Sequence, residues 1–442
     1  MTSPPVDPVP GTDALPAATD VVVVGGGIIG VCAALSLAEK GIATLLCEKG
    51  VIGGEQSSRN WGFVRTSRRD PREIALSVEA LRMWGQMDEK IGEKTGFVRA
   101  GALFACATEA ELAANEKWLE HARPYQLGNR MVGPEETAKL LNGTTRKWAG
   151  ALFSPTDGRA EPGMAAPAIA RGARRLGAKV VTGCAVRGIE TSGGKVAAVV
   201  TEKGRVACKA VVLAGGAWSR LFSGNLGIDL PQLMVTGSVL RTHPVEGGPE
   251  HNVAGPEYGI RKRADGGYTM AKRNTNVTDI VPDSFRLFFQ FMPALRANRK
   301  YLRLRFGRRF VDELRRPRRW SLDAVTPFEQ VRIMDPPPLE SALEELKVLV
   351  ARDFPAFRDL KVAQTWGGLI DTTPDAVPVI SPVEALPGFF LATGFSGHGF
   401  GIGPGAGRLV ADLVAGDRPI VDPRELRFGR YTDGSNPRPM SV

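Results

Sequence analysis

The sequence VVVVGGGIIG at residues 21–30 decides the fold. Its four valines predict a short buried strand, its glycines predict a tight turn, and the residues from Ile28 to Lys40 predict a helix. A second apolar run, Ala43 to Leu46, predicts a further strand that ends next to Glu48. A strand, a helix and a strand at this spacing predict a β-α-β unit, and therefore an α/β fold with a parallel sheet.

Three glycines in this stretch, Gly25, Gly27 and Gly30, form the pattern GxGxxG between the strand and the helix. Without side chains they let the backbone approach a pyrophosphate at the positive end of the helix. Glu48, 18 residues after Gly30, is placed to accept hydrogen bonds from a ribose 2′-hydroxyl and would repel a 2′-phosphate. The pattern predicts an adenine dinucleotide other than NADP; the alternative is a structural glycine turn in another α/β protein. Further glycine-rich turns along the chain favour FAD over NAD.

The length of 442 residues and the hydrophobic content of 43% predict two intertwined domains. Residues 1–19, which are rich in Pro, Thr and Ala, predict a flexible leader and not a signal peptide. We assign residues 20–95, 150–230 and 361–442 to a discontinuous nucleotide-binding domain, and residues 96–149 and 231–360 to a domain that binds the substrate.

Composition argues against several other classes of protein. There is no run of about 18 apolar residues, which argues against a membrane span. The five cysteines include no close CxxC pair, so we expect reduced, buried thiols in a cytoplasmic protein, and no metal site.

The net charge of +10 is concentrated in one segment, Arg296 to Arg319. We expect this segment to be a solvated helical face; the alternatives are a peripheral docking surface for an anionic membrane or for a partner subunit. No nucleic-acid-binding motif accompanies the basic residues, so nucleic acid is not an expected partner.

The motifs taken together resemble those of the D-amino acid oxidase superfamily, which includes glycine oxidase and sarcosine oxidase. The resemblance rests on Asp20 to Gly30, Glu48, Ser57-Ser58-Arg59-Asn60, Ala214 to Trp218, Trp366 to Leu369 with Thr373, Asp375 and Pro378, and Gly394 to Gly399. It implies a Rossmann-type FAD-binding domain of the glutathione-reductase kind and a second, α+β domain for the substrate. It spans nearly the whole chain.

The resemblance also implies which residues hold FAD. They are Gly25, Gly27, Ile28, Gly30, Glu48, Lys49, Ser57, Ser58, Arg59, Asn60, Val186, Ala214, Gly215, Trp218, Gly367, Gly397, His398 and Gly399. The glycines on both sides of His398 would let the backbone pass close to the isoalloxazine ring and donate N–H groups to its carbonyl. Relatives that attach FAD covalently use a cysteine near the C-terminal turns or a histidine near the N-terminal ones. Because the last cysteine is Cys208 and the first histidine is His121, we expect noncovalent FAD.

Five residues are candidates for the chemistry: Arg65, Tyr258, Lys272, Asp371 and His398. An ungapped comparison with the family pattern from Trp366 puts Ile370 where an arginine would hold a carboxylate, and Asp371 where a proline would stand. Asp371 would then attract a cationic substrate; alternatively it only caps the turn.

Each of the other candidates also has two interpretations. Arg65 would hold a substrate carboxylate or form a surface salt bridge. Lys272 would promote oxygen reduction and Tyr258, with Arg261 and Tyr268, would close the pocket, unless these residues are ordinary strand surface. His398 lies at the flavin, with or without a role as a base, or is simply packed.

We therefore predict an FAD-dependent oxidoreductase that oxidises the C–N bond of an amine or amino-acid derivative to an imine, which hydrolyses to a carbonyl compound. FAD would accept the hydride, while the protein supplies position and charge. The electron acceptor would be oxygen or another carrier. The alternative is a flavoprotein subunit of a larger complex that passes electrons to quinone or to a partner.

Overall fold

The structure is a computed structural model that describes residues 3–299, 302–435 and 437–440. The strands in these residues are β1 (Val21–Val24), β2 (Thr44–Cys47), β3 (Phe63–Val64), β4 (Ala102–Cys106), β5 (Arg130–Val132), β6 (Gly150–Ser154), β7 (Gly158–Arg159), β8 (Lys179–Val181), β9 (Val186–Ser192), β10 (Lys195–Thr201), β11 (Gly204–Ala207), β12 (Ala210–Leu213), β13 (Leu233–Thr242), β14 (Asn252–Ala254), β15 (Tyr258–Lys262), β16 (Tyr268–Lys272), β17 (Asn276–Asp279), β18 (Leu302–Arg305), β19 (Val362–Thr372), β20 (Val379–Pro382) and β21 (Phe389–Thr393). The helices are α1 (Ile28–Glu39), α2 (Gln56–Arg59), α3 (Pro71–Ile91), α4 (Glu109–Ala122), α5 (Pro134–Leu140), α6 (Pro162–Arg175), α7 (Ser219–Asn225), α8 (Pro282–Arg286), α9 (Phe288–Asn298), α10 (Arg308–Arg315), α11 (Pro327–Gln330), α12 (Glu340–Asp353) and α13 (Gly399–Ala415).

The first sheet is the predicted Rossmann-type unit. Its strand order is β20-β21-β12-β1-β2-β8, and all neighbouring strands are parallel except β20 and β21. Helix α1 is buried along almost its whole length because α13 and α6 pack against it. Glycines permit this close approach: a Cβ atom at Gly403 would lie 2.8 Å from Ile28. The α/β fold class and the β-α-β unit predicted from the sequence are confirmed.

The second sheet has the strand order β18-β17-β13-β16-β15-β14-β4-β6-β5, with β19 also paired to β13. Its strands are mostly antiparallel, and helix α12 packs against it at β13 and β16. Strands β6 and β19 belong to this sheet, so the domain boundaries lie further along the chain than residues 150 and 361. Sequence reasoning drew the second boundary too early because the glycines of β19 resemble a turn.

Residues 3–20 lie along the first domain, which corrects the expectation of a flexible leader. The backbone N–H of Asp7 donates to the carbonyl of Gly163 at 2.9 Å, and Asp13 accepts from the backbone N–H of Val180 at 2.7 Å. Arg174 donates to the carbonyl of Pro10 at 2.8 Å. The prolines explain this behaviour, because they restrict the segment to extended backbone whose carbonyls stay available as acceptors.

Three further expectations concern cysteines, metals and membrane spans. All five cysteines are free and buried. Among the described residues, no group of His, Cys, Asp and Glu side chains is arranged to hold a metal ion. Within the same residues, no helix combines the length and the apolar character that crossing a bilayer requires.

We call residues 282–299 and 302–319 together the arginine-rich arm. It comprises α8, α9, β18 and α10, with β18 added to the edge of the second sheet next to β17. The sequence predicts a solvated basic helical face here, but the surface is mixed. Phe289 is 88% exposed and Phe306 is 68% exposed among the arginines.

Candidate active site

A cavity of about 520 Å³ runs between the two sheets. At one end it is lined by the β1–α1 turn and by the ends of β2 and β12, from the first sheet. At the other end it is lined by side chains of the second sheet and by the loop before α3. We call these two parts the cofactor half and the substrate half.

The cofactor half begins at the glycine turn between β1 and α1. Gly25 has a φ of +110°, and a Cβ atom there would lie 2.5 Å from the carbonyl oxygen of Ala214. A Cβ atom at Gly30 would overlap the carbonyl oxygen of Gly25. Gly27 lies at the start of α1 and lines the cavity. The turn therefore presents the N-terminus of a helix to the cavity, which suits a pyrophosphate.

Glu48 closes this half beside the turn. Its carboxylate accepts from the backbone N–H of Gly26 at 2.7 Å and from that of Gly50 at 2.6 Å. Burial raises the pKa of Glu48, while Lys49 and the two backbone N–H groups act in the opposite direction. A carboxylate has about four acceptor positions, so two remain for the hydroxyls of a ribose.

Lys49 and Trp218 form the wall of the cofactor half. The ammonium of Lys49 lies 4.7 Å from the centre of the Trp218 ring and 2.9 Å from the carboxylate of Glu55. The indole N–H of Trp218 also donates to Glu55, at 3.1 Å. These contacts hold the tryptophan face against the cavity, where an aromatic ring of a nucleotide can lie beside it.

The predicted FAD residues separate into two groups. Those that line the cavity are Gly25, Gly27, Ile28, Glu48, Lys49, Ser57, Arg59, Asn60, Val186, Ala214, Gly215, Trp218, Gly397, His398 and Gly399. Gly30, Ser58 and Gly367 lie behind this surface. The Ser58 hydroxyl donates to the carbonyl of Glu55 at 3.1 Å, and Gly367 packs against Pro336. The residues present fit FAD; the individual contacts with it stay predictions.

Arginines dominate the substrate half. Arg65, Arg69 and Arg273 all line it. The guanidinium of Arg65 lies 5.4 Å from the centre of the Phe104 ring, and burial lowers its pKa, as do the charges of Arg69 and Arg273. Asp157 opposes that effect electrostatically. This concentration of positive charge favours an anionic group on the molecule that binds here.

His398 lies where the substrate half meets the glycines of the α13 turn. Its Nδ1 atom is 3.1 Å from a carboxylate oxygen of Glu73, which is fully buried. Burial lowers the pKa of His398; the charge of Glu73 raises it, and those of Arg69 and Arg65 lower it further. The sequence motif located His398, whereas Glu73 was not among the candidates.

Asp371 lines the cavity, and its carboxylate accepts hydrogen bonds from the chain itself. The role predicted for it, attracting a cationic substrate, stays a prediction. One carboxylate oxygen accepts from the backbone N–H of Gly394 at 2.8 Å and from the Gln232 amide at 3.0 Å. The side chain is 2% exposed, and burial raises its pKa. Ile370 also lines the cavity, beside Gly397 and Gly237.

The prediction that Tyr258 closes the pocket is also wrong. Tyr258 is fully buried in the core of the second sheet, and its hydroxyl donates to Asp353 at 2.7 Å. Arg261 and Tyr268 are buried as well, Arg261 in an ion pair with Glu161 at 2.7 Å. Both faces of β15 and β16 are covered by packed structure, so these side chains cannot act as a hinged lid.

Lys272 is placed differently from Tyr258. It lies at the end of β16, lines the cavity and forms an ion pair with Glu345 of α12. The role in oxygen reduction suggested for it stays a prediction.

Sequence reasoning missed several residues of the substrate half. Arg273 follows Lys272 directly, and its guanidinium donates to the carbonyl of Gly255 at 2.8 Å. An apolar wall is formed by Trp61, Phe104, Val239 and Ala254. A charged residue at the end of a hairpin strand is a weak signal, and the wall residues come from four separate segments.

Comparisons with known proteins show the class of enzyme. The model of the family described as FAD dependent oxidoreductase matches residues 20–413. The chain belongs to this family, the D-amino acid oxidase superfamily indicated by the sequence motifs. It is an FAD-dependent oxidoreductase of the type that acts on the C–N bonds of amines and amino acids.

Particular relatives match most of the chain. A structure of the L-amino acid deaminase from Proteus myxofaciens, solved in complex with anthranilate, is 36% identical, with a TM-score of 0.93 and coverage of 98% of this chain and 97% of that one. Glycine oxidase from Pseudomonas aeruginosa is 26% identical over 91% of this chain and 96% of its own length. The D-amino acid dehydrogenase from Bradyrhizobium diazoefficiens is 28% identical over 84% and 77%.

Proposed function

We propose that the protein oxidises an α-amino acid with an apolar side chain. The observation that carries this proposal is the placement of Arg65 and Arg273 on the wall of the substrate half, which otherwise includes apolar side chains. A carboxylate between two guanidinium groups gains charge-assisted hydrogen bonds. Ile370 occupies the position at which the family pattern has an arginine, so the acid-binding function would be taken over by these two residues.

The apolar wall supports an apolar substrate side chain. Phe104, Val239 and Ala254 offer no polar group to a cationic or acidic side chain. Asp371, the acid expected to select a cation, lines the cavity, but it is only 2% exposed and its carboxylate accepts hydrogen bonds from Gly394 and Gln232. The related deaminase that binds anthranilate, an aromatic amine with a carboxylate, agrees with this chemistry.

Bound FAD would supply the hydride acceptor for the carbon that bears the amine. The residues of the chain would do the rest: the arginines orient the carboxylate, the apolar wall excludes water, and the backbone beside Gly397 and Gly399 approaches the cofactor. The resulting imine hydrolyses to a 2-oxo acid and ammonia.

The test is anaerobic bleaching of the flavin absorbance by a matched panel. We expect one enantiomer of phenylalanine to bleach it, and phenethylamine, which lacks the carboxylate, to react at least tenfold more slowly at the same concentration, the equivalent of about 1.4 kcal/mol. The hydroxy acid 3-phenyllactate should not react. Equal rates with phenethylamine would contradict the carboxylate site, and full bleaching by 3-phenyllactate alone would contradict C–N oxidation.

We further infer that the arginine-rich arm docks on an anionic membrane surface, which would place the cavity near a membrane-held electron acceptor. Phe285, Phe289 and Phe306 are exposed on the arm, and so are Arg303 and Arg308. Aromatic side chains enter the boundary region of a bilayer, while arginines bind anionic headgroups. A solvated helix would need no exposed phenylalanines.

The arm is attached firmly to the first domain. Asp283 at its start pairs with Arg220 of α7 at 2.8 Å and with Arg318 at 2.8 Å. The guanidinium of Arg316 lies 5.5 Å from the centre of the Trp218 ring, which lines the cofactor half. The arm's position is thus fixed relative to the cavity.

Sedimentation with vesicles tests the docking surface. We expect the holoprotein to bind vesicles that contain phosphatidylglycerol, to bind pure phosphatidylcholine weakly, and to be released by salt. The double variant Phe289→Ser with Phe306→Ser should bind at least tenfold more weakly. Val348→Ser, which removes an apolar side chain that is 70% exposed on α12, is the matched control. Failure to bind either vesicle, or equal loss in the control, would contradict the proposal.

Peroxide formed per substrate consumed separates the two classes of acceptor. A ratio near one indicates oxygen. A ratio near zero, with turnover restored by a quinone, indicates a dehydrogenase and agrees with the membrane surface.

A further inference from the structure

The buried carboxylate of Glu73 contacts the imidazole of His398. Among the described residues that line the substrate half of the cavity, His398 has the only titratable ring. Glu73 lies in the first turn of α3, whose start is set by the Asp70 cap and by Pro71. Its side chain is completely buried, and one of its oxygens lies 3.1 Å from Nδ1 of His398. The other oxygen is 3.4 Å from the same atom. Nothing in the proposed function uses Glu73.

The contact determines which nitrogen of His398 carries the proton. A carboxylate only accepts hydrogen bonds, so Nδ1 must be the donor. In a neutral imidazole the other nitrogen, Nε2, then carries a lone pair. Within the described residues, Nε2 has no hydrogen-bond partner, and His398 lines the cavity. The ring therefore presents an acceptor to whatever occupies the substrate half.

The charges around the ring favour this arrangement. Glu73 lies on the α3 side, while Arg69 and Arg65 lie on the loop that precedes α3. The two arginines oppose a charged imidazole, whereas the carboxylate stabilises one as soon as a proton arrives. Burial lowers the pKa of His398 from the ordinary histidine value, which favours the neutral ring near neutral pH.

We propose that Glu73 is a positioning residue that fixes the Nδ1–H tautomer of His398, so that Nε2 accepts a proton from the substrate ammonium group. The N–H bond of the ammonium breaks, an Nε2–H bond forms, and the substrate becomes a neutral amine. The proton remains on the imidazolium, whose charge Glu73 balances. No electrons move in this step; it prepares the amine lone pair that the later loss of hydride requires.

This inference rests on the proposed function only because it takes the substrate to be an amine. Its main test uses no substrate. The chain contains four histidines, so long-range ¹H–¹⁵N spectra of holoprotein labelled at histidine can be assigned with His398→Asn. We expect His398 to show a protonated Nδ1 and an unprotonated Nε2 near neutral pH. A protonated Nε2 in the wild-type protein would overturn the proposal, whatever the substrate is.

Glu73→Gln provides the second test, because it keeps the size of the side chain but can donate to Nδ1. We expect the tautomer preference to be lost and the His398 pKa to fall, since the balancing carboxylate is gone. The rate of anaerobic flavin bleaching should fall roughly ten- to a hundredfold, which is part of the factor of 10²–10⁴ that a positioned proton acceptor supplies. The bleaching rate should rise with pH as His398 loses its proton. In the variant this rise should occur at lower pH, in parallel with the His398 pKa measured from the spectra.

Glu79→Gln is the matched control, because it removes the same charge from the same helix at a site where Glu79 pairs with the exposed Arg82. It should change neither the spectrum nor the pH profile. Glu73→Gln with an unaltered tautomer and an unaltered pH limb would overturn the positioning role. If the proposed substrate class fails while the Nδ1–H tautomer is observed, the proposed function is wrong and the Glu73 contact stands.

Discussion

The two halves of the cavity are built in different ways. The cofactor half is formed largely by backbone, because Gly25, Gly27 and Gly215 bring main chain to its surface. The substrate half is formed by side chains, among them Arg65 and Arg273, which come from elements more than two hundred residues apart. A site made of backbone leaves a local signature in the sequence. A site made of side chains depends on which strands become neighbours.

The halves also differ in how they tolerate change. A new side chain at Gly25 or Gly30 would meet another backbone segment, which cannot move without disturbing β1 or β12. A changed side chain in the substrate half loses a charge or a contact but leaves the sheets in place. Mutations should therefore affect folding and FAD retention in one half, and substrate binding in the other.

The largest effect is expected from Gly30→Ala. A Cβ atom there would overlap the carbonyl oxygen of Gly25, so the β1–α1 turn cannot keep its shape. We expect no FAD-loaded protein after purification, measured by the flavin absorbance per polypeptide. Gly224→Ala in α7 is the control, because a Cβ atom there has no neighbour within 4 Å. This control should load FAD normally. Normal FAD loading of Gly30→Ala would contradict the claim that the cofactor half depends on its glycines.

Arg65→Met should weaken substrate binding and leave FAD loading intact, which is the opposite of the effect expected for Gly30→Ala. Losing one partner of a buried charge pair with the substrate carboxylate costs roughly 2–5 kcal/mol, so substrate affinity should fall by a factor of about 30 or more. FAD content should stay at the wild-type level. The measurement is the substrate concentration dependence of anaerobic bleaching, with Arg82→Met on the exposed face of α3 as the control. Unchanged affinity would remove Arg65 from the carboxylate site.

Glu48→Ala tests the cofactor half with a smaller change. Hydrogen bonds to a charged group contribute roughly 1.5–3 kcal/mol, so FAD should dissociate about ten- to a hundredfold more readily. In protein reloaded with excess FAD, the substrate dependence should be that of the wild type. The first readout is flavin fluorescence released on dilution. A change in substrate affinity with unchanged FAD affinity would reverse the assignment of the two halves.

The same difference between the two halves explains which features could be predicted from the sequence. The β-α-β unit, the family and the use of FAD were predictable, because periodicity and glycine spacing are local properties. Tyr258 was wrong as a residue that closes the pocket, because the burial of a strand residue depends on segments that lie far along the chain. Its strand β15 pairs with β16 and packs against α12, whose Asp353 accepts a hydrogen bond from the tyrosine hydroxyl.

Glu73 shows a second reason why the sequence alone could not locate the whole site. Nothing next to it marks it as functional, because its partner His398 lies 325 residues further along the chain. Only the packing of α13 against α3 brings the carboxylate to the ring. The capping aspartate and the proline just before Glu73 indicate only that a helix starts there.

Asp371→Asn should have a modest effect on stability and none on the preference for substrate charge. The carboxylate accepts from Gly394 and Gln232, so its replacement weakens the turn by roughly 1–2 kcal/mol. The melting temperature should fall by a few degrees, as expected for a loss of that size in a chain of this length. A tenfold loss of affinity confined to cationic substrates would show that Asp371 attracts the substrate cation.

The smallest effect is expected outside both halves, at the ion pairs that attach the arginine-rich arm. Burial by itself would raise the pKa of Asp283, but hydrogen bonds and charges from Arg220, Arg286 and Arg318 lower it from 3.8 to about 2. A carboxyl whose pKa is lower in the folded state stabilises that state above its unfolded pKa. This contribution is lost as the pH falls from about 4 toward 2. Because two of the arginines are roughly half exposed, we expect about 1 kcal/mol.

Asp283→Asn should remove that contribution at every pH. The variant should then melt at a lower temperature than the wild type at pH 5, and the difference should shrink as the pH approaches 2. Trypsin should cleave the arm faster in the variant at neutral pH, while FAD content stays constant. Loss of FAD together with release of the arm would mean that the contact between Arg316 and Trp218 extends the cofactor half into the arm, and the division of the cavity into two independent halves would have to be redrawn.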